Sequence, residues 1–183
     1  LVVALNSNSL IDSTGGTLKV SGTVDNSSEI AIPGTELALS GDLTIAGTLT
    51  TGASTTITRN NNKLDLSGSL IKLGSGLNLA GSVTNNATRL ILQTNASLAN
   101  TSSTEIGPLD LNGYALSTSM GLTINEALTI DASGEQLLTG NNDLTLKGSL
   151  VISSGKLTSA SGTVSFGSTA SLTNPGAIEM QGG

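Results

Sequence analysis

The chain has 183 residues, 37% of them hydrophobic but only 1% aromatic, with 11% charged and a formal net charge of -6. With no Cys and no His, disulfides, Cys/His zinc sites and thiol or imidazole catalysis are excluded. There is no Lys/Arg cluster or set of aromatics for nucleic acid or an anionic surface, and the longest apolar run, Leu1 to Leu5, cannot span a membrane as a helix.

In chain order, one short unit keeps returning. The first copy is LKVSGTV, from Leu18 to Val24, with Gly22. Two more lie back to back in LALSGDLTIAGTL, from Leu37 to Leu49, with Gly41 and Gly47. LDLSGSL (Gly68), LNLAGSV (Gly81), LDLNGYA (Gly113) and LTLKGSL (Gly148) follow. Looser relatives begin at Arg89, Gly121 and Gly162. Within each unit apolar residues alternate with polar ones, the period of a strand with one buried face. Thirteen such residues in one straight strand would exceed ordinary strand lengths. The glycines, which lack a side chain, are therefore the expected bending points.

The spacing turns strands into an architecture. Gly22 to Gly41 is 19 residues and Gly47 to Gly68 is 21. Three six-residue sides and a corner give about that length. The expected fold is an all-β parallel solenoid over residues 1–183 as a single domain, with about 20 residues per coil and about nine coils. An antiparallel sandwich is the rival, but it needs hairpin turns, and the one Asn-Gly pair, Asn112-Gly113, lies inside a unit. A core one side chain deep from each face needs no aromatic rings.

The units LALSGDLTIAGTL and LTLKGSLVISSGKL resemble the right-handed β-helices of bacterial surface and secreted proteins, such as autotransporter passengers and filamentous-haemagglutinin-like adhesins. The resemblance is one of repeat style over most of the chain. It implies a rod that serves as adhesin, spacer or fibre. Bactofilins, cytoplasmic β-helical filament formers, share the glycine-punctuated pattern but typically carry more charge.

Candidate chemistry is sparse. Asp42 and Asp65 fall on outward positions of similar units, where paired carboxylates would suit glycosidic acid–base work. Isolated solvating acids are the plainer reading. Asp131 to Glu135, DASGE, offers oxygen ligands for a cation or simply a solvated corner. No phosphate-binding loop occurs. Asn26, Asn86, Asn95 and Asn100 head Asn-x-Ser/Thr sequons, open to N-glycosylation where the source performs it. The Thr-rich TLTTGASTTIT, from Thr48, raises an ice-binding surface if its threonines stack on one flat face. No catalytic residue, cofactor or metal is expected.

A solenoid normally closes its terminal coils with a polar cap. LVVAL at the start and GAIEMQGG at the end have no such character, and Leu1 in place of Met suggests a processed product or an excised segment. The expected function is a non-enzymatic structural protein, extracellular or at the cell surface given its Ser/Thr/Asn/Gly-rich exterior. It would act as filament subunit, fibre or adhesin through end-to-end stacking with itself, and its outer partners would be surface glycans. The alternative is a carbohydrate-binding or carbohydrate-active β-helix, which requires a cleft where acids and bases converge.

Overall fold

The computed structural model describes residues 2–5, 10–25, 27–52, 55–79, 88–168, 170–173 and 176–180. Strands β1 (Val2–Leu5), β2 (Leu10–Asp12), β3 (Thr17–Val24), β4 (Glu29–Ile32), β5 (Glu36–Ile45) and β6 (Thr48–Thr51) open the chain. β7 (Thr55–Thr58), β8 (Leu64–Asp65), β9 (Leu70–Leu73), β10 (Gly76–Asn78), β11 (Arg89–Leu92) and β12 (Ala96–Ala99) follow. Then come β13 (Thr104–Ile106), β14 (Leu109–Asp110), β15 (Ala115–Thr118), β16 (Leu122–Ile124), β17 (Leu128–Ile130) and β18 (Gln136–Gly140). β19 (Leu144–Leu146), β20 (Leu150–Ile152), β21 (Lys156–Ser159), β22 (Val164–Phe166), β23 (Leu172–Thr173) and β24 (Ala177–Met180) complete it.

Every strand pairing among the described residues is parallel, which removes the sandwich and establishes the parallel β-solenoid. Paired residues lie about 20 apart: Thr17 with Glu36, Glu36 with Thr56, Ala115 with Gln136, Lys156 with Ala177. The stack makes about eight turns.

Each coil has three sides. Face 1 carries the first half of β3 and of β5, then β7, β10, β12, β15, β18, β21 and β24. Face 2 carries β1, the second halves of β3 and β5, β8, and later β13, β16, β19 and β22. Face 3 runs β2, β4, β6, β9, β11 and β14, then β17, β20 and β23. β3 and β5 are long because they pass round a corner. Between them the register shifts after Val20, so that Gly22 pairs with Leu43.

Alternation in sequence becomes columns in space. On face 3, Ile11, Ile30, Leu49, Ile71, Leu90 and Leu109 pair in succession, one above another. All but Ile11 are buried in one continuous core. Each such side chain contributes about 1.5–3 kcal/mol by leaving water. Some threonines of this interior donate a hydroxyl to a carbonyl of the neighbouring coil, whereas the buried hydroxyls of Thr51 and Thr118 have no hydrogen-bond partner among the described residues. Thr35 donates to Ser13 O at 2.7 Å, Thr55 to Ile32 O at 2.9 Å and Thr88 to Leu66 O at 2.6 Å. A buried hydroxyl without such a partner is costly.

Candidate functional site

The repeat glycines turn the chain by two different means. Gly68 and Gly113 have φ of 77° and 85°, a left-handed conformation that L side chains avoid. Both follow the same local motif, LDL-x-Gly. Asp65 accepts a hydrogen bond from Ser67 N–H at 2.9 Å, and Asp110 from Asn112 N–H at 3.0 Å. These Asx turns let the carboxylate begin the corner and the glycine finish it. Gly22 is also left-handed, with φ of 118°. Gly47 and Gly148 work by close approach. A Cβ on Gly47 would collide with the carbonyl oxygens of Asp25 and Ser28, and one on Gly148 with Glu126 and Ala127 backbone. Gly41 lies within β5, where an added Cβ would be 3.0 Å from Ser21 Cβ. Gly81 is outside the described residues.

Most acids serve the fold. Asp42 accepts from Lys63 N–H at 2.8 Å, a bond repeated between Asp143 and Thr163 N–H at 2.8 Å. Thr44, two residues beyond Asp42, is the residue paired with Asp65, so the two carboxylates do not share a column. In the DASGE corner, the buried Glu135 accepts from Asp131 N–H at 2.7 Å and Ala132 N–H at 3.2 Å with one oxygen. Its other oxygen accepts from Gly113 N–H, one coil away, at 3.0 Å. The carboxylate thus clamps two corners together. Among the described residues no group of three or more acids is placed to hold a metal ion.

Asn95 is exposed and accepts from Ala115 N–H at 2.9 Å, whereas Asn100 donates to Thr104 Oγ1 at 2.9 Å and accepts from Thr101 N–H at 2.8 Å. Both therefore stand at corners. Asn26 and Asn86 lie outside the described residues. The Thr-rich run does not form one flat array, because Thr48 and Thr50 belong to face 3 and Thr56 and Thr58 to face 1.

Two glutamates on the outer faces are held below the ordinary carboxylate range. Hydrogen bonds from Thr58 and then Thr17 lower Glu36, and those from Lys147 and then Asn125 lower Glu105. Lys147 reaches Glu105 at 2.7 Å across two coils, and Lys156 reaches Glu179 at 2.7 Å across one.

One place on the exterior is concave and charged. Face 3 loses its hydrogen-bonded continuity between β14 and β17, although the two strands lie against each other. A depression of about 350 Å³ opens there, lined by Arg89, Pro108, Asp110, Ala127, Thr129 and Asp131, with Glu135 in its wall. Arg89 approaches Asp110 at 3.5 Å. From the sequence Arg89 marks only the start of a loose repeat and Glu135 a cation loop or solvated corner, and Pro108 is not singled out. The signal left unused was Pro108 at the opening of a unit, where proline removes a ladder donor. A second depression, of about 370 Å³, lies on face 1 around Gly76, Asn78 and Ser97 and carries no charged side chain.

No protein-family model matches this chain, and no curated protein and no solved structure matches it. What stands at this level is the parallel β-solenoid itself, built from a glycine-punctuated repeat.

Proposed function

We propose that the chain is a non-enzymatic structural rod, extracellular or at the cell surface, that acts as a filament subunit, fibre or adhesin by stacking end to end on further copies. The observation that carries this reading is the change of burial along the inward columns. Leu128 and Leu150 are fully buried, but Leu172, next in the column, is 50% exposed. Ile124 and Leu146 likewise lead to Phe166, which is 44% exposed, and Met180 is 54% exposed. At the opposite end Ile11 and Leu18 are only partly covered.

Exposed apolar columns and open strand edges favour another layer of the same kind. With the spacing that runs through the stack, β3 of a second copy would continue β24. Ile178 then meets Leu18, and Glu179 stands beside Lys19. The outward faces, dominated by short polar side chains and a few inter-coil ion pairs, suit a spacer better than a catalyst.

Electron microscopy of the purified chain, with its mass in solution measured alongside, tests the proposal. Fibres with a regular axial repeat are the expected result. Separate short rods at monomer mass, over the full range of accessible concentrations, would overturn it.

A further inference from the structure

We propose that the notch between β14 and β17 is a binding site for a short hydroxyl-rich segment of a glycan, neutral or amino-bearing. The inference goes beyond the rod reading and does not depend on end-to-end assembly. Three independent features meet there. The first is shape: at about 350 Å³ the depression falls in the lower range of small-ligand pockets, enough for a short oligosaccharide segment. The second is chemistry. Arg89 and Asp110, 3.5 Å apart, place a planar donor fork beside a carboxylate, so adjacent sugar hydroxyls can donate to one and accept from the other. Thr129 adds a hydroxyl, and Asp131 a carboxylate with no hydrogen-bond partner among the described residues. Pro108 and Ala127 add apolar surface to the lining, against which the C–H face of a sugar ring can rest.

The third feature is preorganisation. Glu135 is buried and spends its oxygens on three backbone N–H groups, including those of Asp131 and Ala132. The wall that carries Asp131 is therefore fixed before a ligand arrives, which reduces the ordering cost of binding. The lining holds Asp110, Asp131 and Glu135 against the single cation Arg89, so a sulfated or uronic glycan would be repelled. The depression on face 1 has comparable volume but no charged group to orient a ligand.

Titration of the whole chain by NMR or calorimetry tests this, using di- to tetrasaccharides of glucose, N-acetylglucosamine and glucosamine, with heparin as the polyanionic control. We expect at least one of the three sugar series to bind and heparin not to. Asp131→Asn and Arg89→Gln should each weaken binding by about tenfold or more without moving the thermal midpoint, because each removes a charge-assisted hydrogen bond. Thr56→Ala on face 1 should leave affinity unchanged. Failure of all three series to bind, binding of heparin alone, or affinity undiminished in both notch variants would overturn the assignment.

Discussion

Leu146 and Phe166 stand one coil apart in the same inward column of face 2, yet Leu146 is 1% exposed and Phe166 is 44% exposed. Nothing in their local strands explains the difference. β19 and β22 are both three-residue strands flanked by polar corners. What differs is the layer above. Leu146 has Ile124 on one side and Phe166 on the other, whereas Phe166 has a neighbour on one side only among the described residues. Burial in a solenoid is thus a property of the stack rather than of the strand, and stability accumulates by nearest-neighbour contacts.

The largest effect should come from breaking this contrast in the middle. Leu146→Ala leaves a void between two layers that cannot close on it, and should cost about 2–5 kcal/mol in denaturant unfolding. Phe166→Ala should cost the monomer less than about 1 kcal/mol, while shortening or abolishing the fibres seen by electron microscopy. Equal losses in the monomer would mean that the terminal layer is as closed as the centre.

Corners sharpen the comparison next. Glu135→Ala strands three backbone donors at a junction of two coils, and should cost about 1–3 kcal/mol. Asp143→Ala removes one exposed acceptor from Thr163 N–H and should stay within about 0.5 kcal/mol. Among glycines, Gly148→Ala should be worse than Gly113→Ala. The former drives a methyl into the Glu126–Ala127 peptide and should cost about 1–3 kcal/mol. The latter meets no atom within 4 Å and is penalised only by its φ of 85°, about 1 kcal/mol. Thermal midpoints that rank these two in reverse would show that the close approach relaxes freely.

These contrasts also mark what the sequence disclosed. The alternation in LALSGDLTIAGTL was enough to assign Leu37, Leu39, Leu43, Ile45 and Leu49 to the core, and all are buried. The coil length followed from glycine spacing because each coil must return to the same face. Corner mechanics were not legible in the same way. Gly68 and Gly148 occupy equivalent places in LDLSGSL and LTLKGSL, yet one is left-handed and the other is pressed on a neighbouring backbone. Part of the distinction is local, since Asp65 makes the Asx turn before Gly68 and Thr145 stands in that place before Gly148, but the close approach of Gly148 to the Glu126–Ala127 backbone depends on the neighbouring coil, which sequence spacing does not specify. For the same reason DASGE read as a solvated corner or cation loop, although Glu135 turns inward to Gly113 of another coil. The notch is a gap in pairing between β14 and β17, so no residue pattern announces it beyond Pro108.

The smallest expected effect is a dependence on pH carried by the outer face. Glu36 and Glu105 are both held below the ordinary glutamate value of 4.5 by hydrogen bonds that favour the charged carboxylate. A carboxyl whose folded value lies below its unfolded value contributes stability above the unfolded value, and loses it as pH falls through the folded one. The thermal midpoint should therefore be flat near neutrality and decline as pH drops below about 4.5. The two groups should differ in salt. Lys147 bridges to Glu105 as a formal ion pair at 2.7 Å, while Glu36 is held mainly by the neutral hydroxyls of Thr58 and Thr17. Added salt screens exposed ion pairs more than neutral hydrogen bonds. Glu105→Gln should thus flatten part of the acid decline and reduce its salt sensitivity, whereas Glu36→Gln should flatten part of the decline and leave the salt response intact. An acid decline identical in wild type and both variants would remove these two glutamates from any account of the rod's stability, and would leave the interior columns and buried corners as its sole support.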